Sequence, residues 1–312
     1  MANILVTGGA GFIGSNVVDE YIKNKNKVVI LDDLSSGKEE NINPKAKFYK
    51  MDIRDKKISK ILKKEKIEVI NHHAAQISVP DSVKNPVFDA EVNILGTLNL
   101  LQCAKEANIK RFIFVSSGGT VYGANAKLPA TENMPITADN PYGISKVTGE
   151  HYVRFFSNQY NIKYVILRYS NVYGPRQIPH GEAGVVSIFI NKILKGETPI
   201  IFGGGKCIRD YVFVGDVARA NVLALYKATN KAINIGTGIK TDVNKLYSII
   251  CEITNFNKKA IMGPERAGDI PANFLDISNA KKYLNWQPET RLKDGIKKTY
   301  EFFLNTNKGG NK

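Results

Sequence analysis

Short apolar runs rich in β-branched residues alternate with helical patterns through the first half of the chain. Runs of this length, separated by helices, are typical of parallel strands that are covered on both faces. The pattern therefore predicts an α/β fold built on a doubly wound parallel sheet, the Rossmann arrangement. The predicted strands are Ile4–Thr7, Val28–Asp32, Lys47–Lys50, Val69–His72, Phe112–Ser116 and Tyr164–Tyr169.

The pattern loosens after Arg168, where glycine, proline and aromatic residues interrupt the apolar runs. Strands are predicted at Tyr211–Val214 and Ala232–Ile235, and helices at Val243–Thr254 and Leu292–Phe303. We therefore expect a smaller, discontinuous α/β domain formed by residues 171–210 and 237–312, beside a first domain formed by residues 1–170 plus about 211–236. Open parallel sheets bind ligands at the carboxyl ends of their strands, which places the expected site in the cleft between the two domains.

The composition excludes several classes of protein. Hydrophobic residues make up 43% of the 312 residues and charged residues 23%, close to globular averages and unlike disordered or fibrous chains. No stretch of roughly 18 apolar residues occurs, so no segment is predicted to span a membrane. The chain opens on a strand pattern without a basic leader region, and we expect a cytoplasmic protein.

The net charge of +15 favours an acidic partner, either a polymer or a small phosphorylated ligand. The lysines are scattered as single residues and pairs, without a long basic run or regular aromatic interleaving. A solvated lysine-rich surface is therefore favoured over nucleic-acid binding. Cys103, Cys207 and Cys251 lack a CxxC spacing and the histidines lack ligand spacing, so neither a disulfide framework nor a metal site is predicted.

Three glycines follow the first predicted strand at regular spacing, Gly8, Gly11 and Gly14. Gly8 permits a tight turn, Gly11 allows a pyrophosphate to approach the backbone, and Gly14 lets the following helix pack closely on the strand. Free N–H groups at the start of that helix can bind the anion. A glycine loop alone is a weak signal, but the strand before it, the helix after it and an acid downstream together predict a dinucleotide site.

That acid is Asp32, at the end of the second predicted strand, where its carboxylate can accept hydrogen bonds from both hydroxyls of an adenosine ribose. Asp33 follows it, and two adjacent carboxylates would repel a 2′-phosphate, which favours NAD over NADP. Lys38 is a weaker argument in the opposite direction. Asp52 closes the third predicted strand, where it either reads an adenine amino group or is an ordinary strand-end acid.

Tyr142 and Lys146 are four residues apart in a segment with a helical pattern, which places them on one face of the helix. A free tyrosine has a pKa of about 10 and is a poor base at neutral pH. A nearby ammonium group and a cationic nicotinamide ring would favour the phenolate. The pair is common by chance, but behind a dinucleotide loop it predicts a proton acceptor that works beside NAD⁺.

The glycine loop together with the Tyr142–Lys146 pair resembles the extended short-chain dehydrogenase/reductase superfamily, over essentially the whole chain. Further motifs resemble its NAD-dependent epimerase/dehydratase branch, and the run 179–189 is most similar to that of bacterial and archaeal UDP-glucose 4-epimerases. The branch motifs are His73-Ala74-Ala75-Gln76, Asn93 within VNILGT, SSGGTVYG at 116–123, RYSNVYGPR at 168–176 and IRDYVFVGDV at 208–217.

The resemblance implies a role for each matching position. Tyr142 and Lys146 are expected to be catalytic. The residues expected at NAD are Gly8, Gly11, Phe12, Ile13, Gly14, Asp32, Asp33, Ser36, Gly37, Asp52, Ile53, His73, Ala74, Ala75, Gln76, Asn93, Tyr142, Lys146 and Tyr169. The residues expected at the nucleoside diphosphate and sugar are Ser117, Thr120, Asn171, Val185, Phe202, Arg209, Arg266 and Asp269.

Two positions depart from the family pattern or leave it open. The family usually carries a third catalytic hydroxyl where this chain has Gly118, so Ser117, Thr120 or a water is expected to take its place. Asn273 matches a position where side-chain bulk is thought to limit substituents on the sugar, and asparagine is intermediate in size.

The activity that the resemblance implies is a UDP-hexose 4-epimerase. Tyr142 would remove the proton of the C4 hydroxyl while hydride passes from C4 to NAD⁺. The 4-keto sugar would then rotate about its phosphate linkage, and hydride would return to its other face. Two alternatives stay open. One is another nucleotide-sugar enzyme of the branch, such as a UDP-N-acetylhexosamine or UDP-glucuronate 4-epimerase, a dehydratase or a decarboxylase, and the other is a non-enzymatic RNA-binding module of the same fold.

Two predicted helices, around Phe88–Ala107 and Ile144–Tyr160, carry more apolar residues than one buried face requires. Packing on the chain's own sheet is one explanation. The resemblance implies that both helices join a four-helix interface, and we expect a homodimer.

Overall fold

The computed structural model describes residues 1–179, 184–265 and 270–309. The strands in chain order are β1 (Asn3–Thr7), β2 (Lys27–Asp32), β3 (Lys47–Lys50), β4 (Val69–His72), β5 (Arg111–Ser117), β6 (Lys163–Tyr169), β7 (Asn171–Tyr173), β8 (Ile200–Phe202), β9 (Ile208–Arg209), β10 (Tyr211–Phe213), β11 (Lys231–Ile235), β12 (Thr241–Asp242) and β13 (Ile261–Gly263).

The helices in chain order are α1 (Phe12–Lys23), α2 (Ile58–Lys64), α3 (Val79–Lys84), α4 (Pro86–Ala90), α5 (Gly96–Glu106), α6 (Pro141–Tyr160), α7 (Val185–Leu194), α8 (Val214–Ala224), α9 (Val243–Thr254) and α10 (Leu292–Gly309). Single turns of tighter or wider helix occur at Glu39–Asn41, Glu91–Leu95, Gly203–Gly205 and Ala280–Leu284.

Seven parallel strands form the main sheet in the order β11-β6-β5-β4-β1-β2-β3. The predicted doubly wound parallel sheet is therefore confirmed. The chain leaves β1 in one direction for β2 and β3 and in the other for β4, β5 and β6, so the switch point lies between β1 and β4. In such sheets the carboxyl ends of the two strands at the switch point open the ligand crevice.

Both faces of the main sheet are buried, as the continuous apolar runs predict. Ile4 and Val6 point into one core, with helices α1 and α8 and the buried Trp286. Leu5 points into the other core, beneath helices α2, α5 and α6. The alternation follows from the two-residue period of a strand, so a single apolar run covers both layers.

The later part of the chain builds a smaller core from α7, α9 and α10 around the fully buried Ile190, Leu246 and Ile296. Short paired strands lie beside it: β10 with β7, β12 with β9 and β13 with β8. Predicted strand Tyr211–Val214 therefore pairs with Asn171–Tyr173 outside the main sheet, whereas β11 joins the main sheet beside β6.

Among the described residues, no helix has both the length and the apolar character that crossing a membrane requires.

A buried ion pair joins α6 to β6 beneath the carboxyl ends of the strands. Arg168, 1% exposed, and Glu150, fully buried, meet with Nη2 and Oε2 2.7 Å apart. Burial acts to raise the pKa of Glu150, but the hydrogen bonds and charge of Arg168 outweigh it and leave that pKa below its usual value. Ser116 donates a further hydrogen bond of 2.7 Å to Glu150 and so ties the end of β5 to the pair.

We expect Glu150→Gln to lower the free energy of unfolding by about 3–5 kcal/mol, because the substitution leaves the guanidinium of Arg168 buried without its counter-charge. The stability that ionised Glu150 gives the wild type is fully present above its unfolded pKa of about 4.3. It is lost as the pH falls through the lower pKa of Glu150 in the folded protein. The difference in unfolding free energy between wild type and Glu150→Gln should therefore become smaller in acid. Urea unfolding followed by circular dichroism measures both effects. The matched control is Glu252→Gln, which removes an exposed partner of Lys293 and should cost about 1 kcal/mol or less; equal losses in the two variants would contradict the expectation.

Candidate active site

The glycine loop lies directly after β1. Gly8 has a φ of +68°, in the region that favours glycine, and its N–H donates to the carbonyl of Leu31 at 2.9 Å. Gly11 is the N-cap of α1 and offers no side chain to the free N–H groups of the first turn. A Cβ on Gly14 would lie 2.1 Å from the carbonyl oxygen of Gly8, so the close approach of helix and strand requires glycine there.

Asp32 holds this loop in place from the end of β2. Its carboxylate accepts hydrogen bonds of 2.9 Å from the backbone N–H groups of Ala10 and Leu34. Burial raises the pKa of Asp32. A Cβ on Gly37 would lie 2.8 Å from the carboxylate, so the chain folds closely around it.

Other residues expected at the cofactor lie just after β2 and β3 and in the first turn of α1. Asp33 is exposed and accepts hydrogen bonds from the backbone and hydroxyl of Ser35. Asp52 accepts a hydrogen bond of 2.6 Å from Arg54, whose contact lowers the pKa of that carboxyl. The remaining members of the set here are Phe12 and Ile13 in the first turn of α1, the exposed Ser36 and the buried Ile53.

Histidines mark the end of β4. His72 lies between the hydroxyls of Thr7 and Thr97, at 2.8 and 3.0 Å. His73 is the next residue, and within the described part of the chain neither of its buried ring nitrogens has a hydrogen-bond partner. Burial lowers the pKa of His73 to about 3, so its imidazole is neutral and leaves a donor and an acceptor free in the crevice.

Gln76 and Asn93 hold each other. The backbone N–H of Gln76 donates to Oδ1 of Asn93, and Nδ2 of Asn93 donates to the carbonyl of Gln76, both at 2.9 Å. Asn93 lies in the wide turn Glu91–Leu95, which interrupts the helix predicted around Phe88–Ala107. Wide turns of this kind are common at functional sites. Ala74 and Ala75 connect this pair to the end of β4.

Tyr142 and Lys146 lie on one face of α6, whose first turn is fixed by the N-cap Asn140 and by Pro141. The Nζ atom of Lys146 lies 5.6 Å from the centre of the Tyr142 ring. It donates a hydrogen bond of 3.1 Å to the carbonyl of Val115 in β5, which holds the buried ammonium group beside the tyrosine.

Burial dominates the electrostatics of the pair. It raises the pKa of Tyr142, and the charge of Asp89 raises it further, while a hydrogen bond with the side chain of Ser117 opposes both. Burial also lowers the pKa of Lys146 to about 8, against the charge of Asp89, which acts to raise it. The phenol is therefore the stable form in the protein alone, and its ionisation needs an additional cation at the site.

The structure explains why residue 118 is glycine. A Cβ at Gly118 would lie 2.6 Å from Cδ1 of Leu275, a side chain that is 1% exposed, and 3.2 Å from the carbonyl oxygen of Tyr169. The hydroxyl that interacts with Tyr142 comes instead from Ser117. The hydroxyl of Thr120 is buried and, among the described residues, has no hydrogen-bond partner.

Tyr169 ends β6 at the same edge of the sheet. Its ring centre lies 6.4 Å from that of His73, and its hydroxyl accepts a hydrogen bond of 2.7 Å from Asn221. The ends of β1, β4, β5 and β6 lie at one edge of the parallel sheet, with Ser117 at the end of β5 and Lys146 hydrogen-bonded to Val115 of the same strand. The unpartnered imidazole of His73 and the uncapped start of α1 at Gly11 both fit a dinucleotide.

Apart from Ser117 and Thr120, the described residues expected at the nucleoside diphosphate and sugar lie in the later part of the chain. Nη1 of Arg209 donates to the carbonyls of Ile208 and Ile270, at 2.9 and 2.7 Å. Asn171 begins β7, Val185 begins α7 and Phe202 ends β8. Arg266 and Asp269 lie outside the described residues.

Asn273 connects the two sides. Its Nδ2 donates a hydrogen bond of 3.1 Å to the carbonyl of Gly119, and its backbone N–H donates to Ile208 at 3.0 Å. The residue is 7% exposed. Its amide therefore lies directly against the active-site loop that carries Ser117.

Sequence reasoning misses two groups of buried polar residues. Asp89 falls in a segment with an amphipathic helical pattern, and the acid lies among apolar neighbours four residues before Asn93. Glu150 and Arg168 fall at ordinary helix and strand positions. An acid or arginine inside an apolar run is the signal that could have found them, since such groups are rarely buried unless paired.

Within the described ranges, no group of three His, Cys, Asp or Glu side chains could hold a metal ion.

Comparisons with known proteins point to one family. Residues 4–236 match the NAD dependent epimerase/dehydratase family. A UDP-glucose 4-epimerase from Mycolicibacterium smegmatis is 45% identical over 307 residues, covering 96% of this chain and 98% of that protein. The structure of a UDP-glucose 4-epimerase from Thermotoga maritima with UDP-glucose is 48% identical, with a TM-score of 0.95 and coverage of 97% of this chain and 99% of that one.

Two further solved structures bear on cofactor and substrate. The UDP-glucose 4-epimerase of Thermus thermophilus in complex with NAD is 38% identical, with a TM-score of 0.91, covering 97% of this chain and 99% of that one. A UDP-N-acetylglucosamine 4-epimerase from Methanobrevibacter ruminantium, in complex with UDP-N-acetylmuramic acid, is also 38% identical, with a TM-score of 0.93 and coverage of 98% and 99%.

Two variants of the glycine loop distinguish a glycine that the packing of the fold requires from a glycine that NAD binding requires. Gly14→Ala should lower both stability and NAD affinity, because its Cβ collides with the Gly8 carbonyl. Gly11→Ala meets that carbonyl at 3.2 Å and should keep near-wild-type stability while losing NAD affinity. Thermal unfolding and NAD titration by fluorescence measure the two quantities. Full NAD affinity in Gly11→Ala would show that no pyrophosphate passes this backbone.

Proposed function

The chain belongs to the NAD-dependent epimerase/dehydratase family, and we propose that it is a UDP-hexose 4-epimerase that interconverts UDP-glucose and UDP-galactose. The observation that supports the proposal is the buried Tyr142–Lys146 pair beside Ser117, at the edge of the parallel sheet from which the glycine loop also leaves β1. The named relatives with UDP-glucose and with NAD support the same reaction and cofactor.

NAD fits the residues present. Its pyrophosphate would lie at the glycine loop and the start of α1, and its adenosine ribose at Asp32. When bound, NAD supplies a hydride acceptor and donor and a cationic nicotinamide ring. His73 would offer that end of the cofactor its two unpartnered ring nitrogens.

Tyr142 would act as the proton acceptor for the C4 hydroxyl of the sugar and would return the proton after the 4-keto sugar has turned. Lys146 favours the phenolate by its charge, and the carbonyl of Val115 keeps its ammonium group beside the ring. Ser117 would bridge the sugar hydroxyl and Tyr142, because its side chain already interacts with the phenol.

The proposed substrate is supported by the positive charge of the protein. A UDP-sugar carries a diphosphate, and the forked donors of Arg209 and Arg266 would suit it. The net charge of +15 agrees with a doubly anionic ligand. Asn171, Val185, Phe202 and Asp269 would complete the pocket for the nucleoside and sugar.

Dehydration and decarboxylation are less well supported. Those reactions need further acid–base groups beside the tyrosine, and positions 118–120 carry Gly-Gly-Thr. The buried carboxylate of Asp89 is already engaged by three donors. A similar protein is a UDP-N-acetylglucosamine 4-epimerase, which keeps N-acetylated sugars open as a second substrate class. The side chain of Asn273 is intermediate in size and does not decide between the two classes.

We also propose a homodimer. Apolar side chains on α4, the following turn and α6 are exposed: Val87 at 67%, Leu95 at 55% and Phe155 at 50%. A sedimentation experiment that finds only monomers would contradict this assembly. The cytoplasmic location and the absence of a nucleic-acid partner stay predictions.

Incubation with UDP-glucose and product analysis tests the reaction, with UDP-N-acetylglucosamine and UDP-glucuronate in parallel. We expect UDP-galactose from UDP-glucose, and a loss of about 10²–10⁴-fold in kcat for Tyr142→Phe, which removes the proton acceptor. Tyr226→Phe, at a tyrosine that is 63% exposed, is the control and should keep wild-type kcat. No turnover of any UDP-hexose by protein that binds NAD would defeat the proposal.

A second test concerns the hydroxyl beside Gly118. Ser117→Ala should lower kcat by about 10-fold or more with little change in stability, whereas Ser117→Thr keeps a hydroxyl and should retain most of the activity. Steady-state kinetics with UDP-galactose measures the difference. If the alanine and threonine variants behave alike, Ser117 does not supply the missing hydroxyl.

A further inference from the structure

Asp89 is a fully buried carboxylate between the cofactor side and the catalytic helix. Its Oδ2 accepts a hydrogen bond of 2.6 Å from the hydroxyl of Ser145. Its Oδ1 accepts hydrogen bonds of 2.9 Å from Nε2 of Gln76 and Nδ2 of Asn93. The three donors come from the segment after β4, the wide turn after α4, and α6, so one side chain joins three elements of the site.

All three donors are neutral. Among the residues that the structure describes, no ammonium or guanidinium group pairs with Asp89 within 4.0 Å. Ser145 lies between Tyr142 and Lys146 on α6, so the carboxylate is directed at the turn that joins them. A buried charge that is hydrogen-bonded but lacks a close counter-ion acts strongly on other charges in the same dry region.

Other titratable groups also face the pair. His72 and His73 lie at the end of β4, and both interact electrostatically with Lys146. Burial lowers the pKa of each histidine, so neither carries a positive charge at neutral pH. Asp89 therefore supplies the fixed negative charge that opposes the deprotonation of Lys146 by burial, and the same charge disfavours the Tyr142 phenolate.

We propose that Asp89 is a positioning residue that keeps the Lys146 ammonium protonated and sets the pH range in which the Tyr142–Lys146 pair works. This inference rests on the proposed epimerase reaction for its kinetic readout. The carboxylate also accepts hydrogen bonds from Asn93, Gln76 and Ser145. These bonds hold the segments on the cofactor side at a fixed position relative to helix α6.

Asp89→Asn removes the negative charge of this side chain but keeps groups that can form its hydrogen bonds. The amide oxygen can still accept from Gln76 and Asn93, and the amide nitrogen can donate to Ser145, whose hydroxyl can turn to accept. Removal of the negative charge favours the phenolate and disfavours the ammonium, so both pKa values should fall. We expect both limbs of the pH profile of kcat/KM to move to lower pH by about 1 unit.

Two further variants serve as controls. Asp81→Asn removes the same charge from the neighbouring α3, where the side chain is 66% exposed and paired with Lys84, and should leave both limbs in place. Ser145→Ala removes a contact but keeps the charge of Asp89, so it should lower the melting temperature without moving either limb to lower pH.

A second readout does not need turnover. The near-ultraviolet absorbance of phenolate, taken as the difference between each NAD-loaded protein and its Tyr142→Phe derivative, follows the ionisation of this one ring. We expect phenolate at lower pH in Asp89→Asn than in wild type. An unchanged titration with unchanged limbs would overturn the role of Asp89, as would a downward shift in Ser145→Ala, which can be measured even if Asp89→Asn does not fold. Wild type that binds NAD but epimerises no UDP-hexose would defeat the proposed function instead, and the absorbance experiment would still decide the role of Asp89.

Discussion

Removal of ionisable side chains from water is the constraint on which this site depends. Tyr142, Lys146 and Asp89 are all buried, and burial disfavours the charged forms of Tyr142 and Lys146. Lys146 is held by the carbonyl of Val115 and Asp89 by three neutral donors. The phenol is thereby kept protonated until a further positive charge arrives, which couples its ionisation to the oxidised cofactor.

The sheet topology places these groups within reach of one another. Residues that are far apart in sequence, such as Thr7 and His72, become register partners because β1 and β4 are neighbours. Gly8 and His73 follow the carboxyl ends of these two neighbouring strands, so they lie at the same edge of the sheet. The Arg168–Glu150 pair braces this edge from below, since it ties α6, β6 and the hydroxyl of Ser116 together.

The main sheet could be predicted because its strands are continuous apolar runs, and α9 lies at the predicted Val243–Thr254. The glycine loop and the Tyr142–Lys146 pair could be predicted because each is local in sequence. The short strands β7, β8 and β9 could not, since two or three residues carry no period and depend on tertiary pairing. Asp89 could not be placed, because its three partners come from separate elements.

The contact between Gly118 and Leu275 links two distant stretches of the chain. Leu275 lies on the segment that runs beside Ala130, and it occupies the volume that a side chain at position 118 would need. Introduction of serine at position 118 alone would therefore require the buried side chain of Leu275 to shift. Because neighbouring positions of this kind are usually coupled energetically, a hydroxyl at position 118 should be tolerated better when residue 275 is made smaller at the same time.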